Sequence, residues 1–130
     1  REVIGPALTE GRVVLCDRFD AATCAYQGYA GGVGMDVVER LSAEATGKVT
    51  PDLTIILDVD PSEGMRRKFG ADLVVGAVGD RIERHAPVFH ERVRRGYLLY
   101  ARRHADRCAV VDAGRGPDEV FADIAALLEL

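Results

Sequence analysis

Tryptophan is absent from the 130 residues, and four Tyr and four Phe supply all the aromatic surface. Lysine is nearly absent too, since fifteen of the seventeen basic residues are Arg. That bias reads as codon usage, yet local Arg clusters still matter wherever a phosphate ligand is in question. The three cysteines, Cys16, Cys24 and Cys108, include no Cys-x-x-Cys pair, which argues against a zinc or disulfide framework. Cys16 and Cys108 sit in or beside apolar runs and are expected as small core residues. No apolar run approaches the ~20 residues that cross a bilayer, and no signal-peptide pattern is visible. A cytoplasmic protein without a membrane partner is therefore expected. Basic excess is lacking as well: 17 basic residues face 21 acidic ones, for a formal net charge of −4. A general nucleic-acid binder is disfavoured on that ground.

What is present fits one globular domain with a real core. Hydrophobic residues make up 48% and charged residues 29% of the chain, ordinary values for such a domain. Val3, Ile4, Ala7 and Leu8 share one helical face, and Gly11 stops that helix. Arg12–Asp17 reads as a first buried strand, and residues 18–35 as a Gly-rich turn and loop that opens with a short helix. Asp36 is placed to cap a helix to about Thr46 that buries Val37, Val38, Leu41 and Ala45.

Pro51-Asp52 introduces a second strand, Leu53–Val59. Asp60-Pro61-Ser62-Glu63 then combines a cap, a first-turn proline and an acidic first turn for the next helix. Gly70–Gly79 breaks helical period and reads as a loop. Arg84–Ala105 carries an apolar stripe of Val88, Phe89, Val93, Tyr97, Leu98 and Ala101. Ala109–Asp112 is a third strand, and Gly116-Pro117-Asp118 opens a last helix expected to bury Val120, Phe121, Ile124, Leu127 and Leu128. Strands alternating with helices predict an α/β fold with a parallel sheet, here of three strands.

Asp17-Arg18-Phe19 is the most informative segment. An apolar run that ends in a carboxylate and a guanidinium delivers opposite charges to the carboxyl edge of a sheet, where open parallel sheets bind ligands. Asp there suits a Mg²⁺-bound water, and the planar fork of Arg suits phosphate oxygens. Tyr26 and Gln27, eight and nine residues beyond Arg18, add an aromatic ring and an amide fitted to a sugar and a base. The combination points to phosphoryl transfer to a nucleotide.

Six segments in order resemble bacterial thymidylate kinases: Ile4-Gly-Pro-Ala-Leu8, Val14-Leu-Cys-Asp17-Arg18-Phe19, Ala25-Tyr-Gln-Gly28, Pro51-Asp-Leu-Thr-Ile-Ile-Leu-Asp58, Asp80-Arg-Ile-Glu83 and Phe89-His-Glu-Arg-Val-Arg-Arg-Gly-Tyr97. The resemblance implies a P-loop-kinase-like parallel sheet with flanking helices, and transfer of the ATP γ-phosphate to dTMP with Mg²⁺ in a homodimeric enzyme. By resemblance, Asp17 holds the Mg²⁺ shell through water and Arg18 clamps the acceptor phosphate. Thr23 and Gln27 face the thymine edge, and Tyr26 lies beside the sugar, where its ring excludes a 2′-hydroxyl. Ala22 stands where relatives often carry a second hydroxyl residue.

Arg67 and Arg81, at either end of the lid, are implied phosphate contacts with a catalytic part. Ala113, Gly114 and Arg115 are placed near the ATP base. Asp58 and Asp60 are expected in sheet-edge hydrogen bonding and helix capping. Arg92, Arg94, Arg95, Arg102 and Arg103 are expected on a wet helix face, paired with nearby acids. His85, His90 and His104 have no metal-ligand spacing.

The family's G-x-x-x-x-G-K-[ST] loop does not occur in these residues; Gly47-Lys48 lacks the earlier glycine, and Gly31-Gly32-Val33-Gly34 lacks the Lys. Two βα units, about 60–80 residues at their usual size, are thus expected before Arg1. The chain is expected as the C-terminal, acceptor-and-lid portion of one nucleoside monophosphate kinase domain. Since P-loop amides and Lys supply much of the positioning and charge neutralisation, these residues alone are expected to catalyse poorly. Two rivals stay open: a non-catalytic or degenerate nucleotide-binding module, and a deoxynucleoside kinase, which shares the Asp-Arg strand end. The Ala-Tyr-Gln-Gly and Asp-Arg-Ile-Glu segments favour the monophosphate kinase over the latter.

Overall fold

A computed structural model describes residues 3–69 and 86–129. The expected loop at Gly70–Gly79, the Asp80-Arg81-Ile82-Glu83 segment, Arg84 and His85 lie outside the described residues.

Helix α1 (Ile4–Thr9) ends where Gly11 takes a left-handed φ of 72°. Helix α2 (Asp20–Thr23) runs without interruption into a π-helical stretch, Cys24–Ala30. The Gly31 N–H donates to the Tyr26 carbonyl at 2.7 Å, the wide spacing that π-turns use and that is frequent at functional sites. Helix α3 (Met35–Thr46) follows and is closed by Gly47 in the left-handed region, φ 67°. Strand β1 (Thr54–Asp58) and strand β2 (Cys108–Asp112) pair in parallel, from Thr54 opposite Cys108 to Asp58 opposite Asp112. Helix α4 (Pro61–Phe69) begins right after β1, helix α5 (Ala86–Arg103) packs across the π-helical stretch, and helix α6 (Pro117–Leu127) leaves β2.

The α/β architecture agrees with the sequence pattern, and five expectations are corrected. The sheet has two strands among the described residues. Residues 12–16 are extended but join no ladder, with Val13 and Leu15 about 90% and 91% exposed. An apolar run becomes a strand only when a neighbouring strand takes its N–H and C=O groups. Among the described residues no strand pairs with this run, and the Arg12 N–H donates to the Ala7 carbonyl at 3.0 Å instead. Cys16 is correspondingly exposed rather than buried, and Cys24 is the cysteine of the core.

The short helix expected to open residues 18–35 is present as α2, but the chain stays helical through Ala30 where a loop was expected. Ala21, Cys24, Ala25 and Gly28 recur at helical spacing and bury one face. Helix α3 starts at Met35 with Gly34 before it, so Asp36 lies inside its first turn, and of its expected apolar residues only Val38 is fully buried. The apolar stripe of α6 also stays uncovered, Phe121 being 68% exposed. A helix buries a stripe only where a second element lies against it, and among the described elements β2 is the one that α6 chiefly meets.

The core lies between α2, the π-helical stretch, α3, α5 and β1. Cys24, Met35, Val38, Ile56, Tyr100 and Ala101 form its centre, and Ala25, Ala30 and Val93 a satellite. Gly96 permits the tightest crossing. A Cβ there would stand 2.9 Å from the Ala25 Cα and 3.0 Å from its carbonyl oxygen. Only glycine admits that approach of two backbones, and it brings Tyr97 of α5 over the residues that follow Asp17-Arg18.

Candidate active site

Arg18 is the hinge of the site. It adopts a left-handed backbone, φ 64°, a conformation a bulky residue holds only where its surroundings over-determine it. The turn ends the extended segment and swings the side chain over the Tyr26 ring, with the guanidinium carbon 5.0 Å from the ring centroid. That is cation–π range. Tyr26 in turn meets Tyr97 edge-on at 6.3 Å and Phe89 at 6.1 Å. A hydrogen bond with Tyr97, followed by the influence of Tyr26, pushes the Arg18 pKa above its ordinary value. Burial pushes the Tyr97 hydroxyl up as well, while Arg18 pulls it back. The result is a permanently cationic fork held against two phenols.

Arg18 also separates two open cavities. One, about 580 Å³, lies between the extended segment and β1, with Val14, Asp17, Arg18, Leu53, Ile55 and Tyr97 on its walls. The other, about 590 Å³, lies between α2 and α3, with Arg18, Thr23 and Gln27 on one side and Val38 and Leu41 on the other. Thr23 and Gln27 stand one helical turn apart and share that groove. Tyr26 points the other way, toward Phe89 and Tyr97. Three of the sequence-predicted residues thus meet along one groove, and the fourth closes the opposite side of Arg18. Asp17 is exposed at the mouth of the first cavity. No group of three or more His, Cys, Asp or Glu side chains is placed to hold a metal ion among the described residues.

The second predicted group assembles at the carboxyl edge of the sheet. The Arg67 guanidinium donates to the Ala113 and Gly114 carbonyls at 2.8 and 2.9 Å, and to Glu63 at 2.7 Å. Glu63 also accepts two hydrogen bonds from Arg66, and the two cations hold its carboxyl down at about 2. Arg115 pairs with Asp123 and lies 3.8 Å from Asp112. Arg67 and the 113–115 turn, far apart in sequence, therefore form one unit, while Arg81 lies outside the described residues.

Asp60 accepts from the Ser62 N–H at 2.9 Å, as a helix cap does. Asp58 takes a two-pronged contact from Arg94, at 2.7 and 2.9 Å, which raises the Arg94 pKa. This pair ties α5 to the end of β1. Arg103 pairs with Asp36 and Glu39, and Arg95 with Glu91, as expected of a wet helix face.

Sequence reasoning treated Tyr97 and Phe89 as mere stripe residues and overlooked Tyr100 and Asp20. The available signal was Gly96. A glycine inside an apolar stripe marks a close crossing, and the residues beside it are brought onto the facing segment.

The sequence matches the family described as thymidylate kinase over residues 1–124. It is 46% identical to a thymidylate kinase of Nitratidesulfovibrio vulgaris (strain DSM 19637 / Miyazaki F) over 125 residues, which covers 95% of this chain and 58% of that protein. A thymidylate kinase of Symbiobacterium thermophilum is 43% identical over 97% of this chain and 56% of its own length. One of Gloeobacter violaceus is 41% identical over 98% and 59%. The chain thus spans somewhat more than half the length of these relatives. Nearly every residue that shapes the Arg18 hinge, its two cavities and the 113–115 turn falls within the matched region, and the chain belongs to the thymidylate kinase family.

Proposed function

We propose that the protein transfers the γ-phosphate of ATP to dTMP, giving dTDP and ADP. The observation that carries this reading is Arg18, a cation fixed between two phenols at the junction of two cavities. A phosphate oxygen of dTMP attacks the γ-phosphorus of ATP, and the bond to the β–γ bridging oxygen breaks, so ADP leaves. Such transfer depends on positioning and charge neutralisation. Arg18 grips the acceptor phosphate with its fork. Thr23 and Gln27 hold the base along the α2–α3 groove, and Tyr26 lies beside the sugar.

Mg²⁺ belongs to this reading, and its fit rests on the donor set. A single exposed carboxylate, Asp17, suits an ion that keeps most of its waters and binds phosphates directly. When bound, the ion neutralises charge on the donor phosphates. Arg67, whose guanidinium is taken up by Glu63 and the Ala113 and Gly114 carbonyls, shapes the 113–115 turn for the ATP base in place of the expected phosphate contact, with Arg115 at its rim. The phosphate role of Arg81 rests on the family resemblance, since that residue lies outside the described residues. The proposal includes a homodimer acting in the cytoplasm; among the described residues no helix is long and apolar enough to cross a membrane.

The test is dTMP titration together with a coupled ADP-release assay containing dTMP, ATP and Mg²⁺. Both are run on this chain and on the chain joined to whatever its own reading frame encodes upstream of Arg1. Saturable dTMP binding, weakened about tenfold or more by Arg18→Lys as the two-pronged grip is lost, supports the reading. Failure of both forms to bind dTMP or release ADP overturns it.

A further inference from the structure

We propose that Tyr100, a core residue of α5, is a positioning residue for Arg18. It acts through Asp20, and the inference rests on the reading of Arg18 as the acceptor-phosphate clamp. Tyr100 is completely buried, yet its hydroxyl is not idle. It donates to Asp20 Oδ2 at 2.7 Å and accepts from Arg107 at 2.9 Å. Arg107 also lies 3.7 Å from the same carboxylate oxygen. The other oxygen, Asp20 Oδ1, accepts the Ala21 N–H at 2.9 Å. Both oxygens of Asp20 are therefore committed.

Asp20 opens α2 and stands two residues after Arg18, whose left-handed backbone needs support from outside. The support runs inward from there. Arg107 directly precedes β2, and its carbonyl accepts the Thr54 N–H at 2.8 Å, so it is fastened to the sheet. Sheet, Arg107, Tyr100 and Asp20 form one continuous polar chain through an otherwise apolar core, and the backbone joins Asp20 to the Arg18 turn two residues before it. Phenylalanine would fill the same space at position 100. The hydroxyl is the part that packing alone does not explain, and a buried polar network tends to specify one arrangement of the segments it joins.

Tyr100→Phe removes that hydroxyl and keeps the ring. Affinity of the chain for dTMP and for thymidine, which lacks the phosphate, is measured by titration calorimetry. Tyr100→Phe is expected to weaken dTMP about five- to tenfold, the effect of one lost buried hydrogen bond, and to leave thymidine unchanged. A purely structural role lowers both affinities alike or neither, and either result overturns the proposal. Val111→Ala, a β2 core truncation away from the network, controls for lost stability and is expected to leave the dTMP-to-thymidine ratio unaltered.

If Tyr100→Phe fails to fold, Asp20→Asn carries the same comparison. It keeps the shape, but its single amide oxygen can accept from the Tyr100 hydroxyl or from the Ala21 N–H and not from both, and the charge that faces Arg107 is gone. If neither this chain nor its upstream-extended form binds either ligand, the functional reading fails. The Arg18 Nε–Hε NMR resonance, identified by its loss in Arg18→Lys, then decides separately. A shifted, faster-exchanging signal in Tyr100→Phe supports positioning, and an unchanged signal refutes it.

Discussion

Gly96 and Ala25 cross backbone to backbone, so closely that a Cβ on Gly96 would meet the Ala25 Cα at 2.9 Å. Alanine is the better helix former by about 1 kcal/mol, but here the obstacle is main chain and cannot swing aside. Gly96→Ala is therefore expected to destabilise the fold by about 1–3 kcal/mol as α5 is pushed off the π-helical stretch. Urea denaturation measures this, and a stability equal to or above that of the unmodified chain would contradict the crossing.

Asp58 and Arg94 join β1 to α5 through two short contacts. Asp58→Asn leaves the half-buried guanidinium facing a neutral amide in place of a carboxylate, with Asp60 at 3.7 Å. A loss of about 1–3 kcal/mol is expected for a charged hydrogen-bonded partner removed from a partly buried site. A denaturation midpoint that does not move would place the pair among surface ion pairs of no consequence.

Glu63 carries a pH signature. Arg66 first and then Arg67 hold its carboxyl at about 2, against an ordinary value of 4.5. The folded carboxyl thus binds its proton less readily than the unfolded one. Its contribution to stability is complete above the ordinary value and is lost as pH falls through the folded one. Carboxyl ¹³C titration should find Glu63 still ionised near pH 3, and the Arg66→Ala/Arg67→Ala double variant should return it toward 4.5. An unchanged midpoint in the double variant would remove the two cations as the cause.

The three free thiols should separate by reactivity. Cys16 is exposed, whereas burial pushes the Cys24 thiol up to about 11 and the Cys108 thiol also upward. Because the thiolate is the reacting form, Ellman's reagent at pH 8 should label Cys16 first and leave Cys24 unmodified until denaturant is added. Early loss of Cys24 would show that the core opens under native conditions.

Tyr26 stands between Arg18, Phe89 and Tyr97. If its ring excludes a 2′-hydroxyl, Tyr26→Ala erodes the preference for dTMP over the corresponding ribonucleotide. A competition titration reads the ratio directly. Equal discrimination in the variant would take Tyr26 out of sugar selection, whatever its effect on overall affinity.

Much of this protein was legible before any coordinates, because the signals were local. Gly47 closing α3, Asp60 and Pro61 opening α4, and Gly116-Pro117 opening α6 act through neighbouring backbone groups, so the sequence determines them by itself. The Asp17-Arg18 and Tyr26-Gln27 segments likewise carry, in sequence alone, the residue types on which the proposed chemistry rests.

Tertiary structure alone decided the rest. Residues 12–16 are apolar enough for a strand, yet a strand is a property of two backbones, and among the described residues no strand pairs with them. The helical course of residues 24–30 follows from burial against α5 across Gly96, which outweighs the local glycines. Arg67 meets Ala113 and Gly114 across 46 and 47 positions, and Tyr100 meets Asp20 across 80. Contacts at such separations depend on how helices lie on a sheet, and no local pattern records that. The residue types of the proposed site were thus set by sequence, while the orientation of Arg18 over Tyr26 and between two cavities was set by packing.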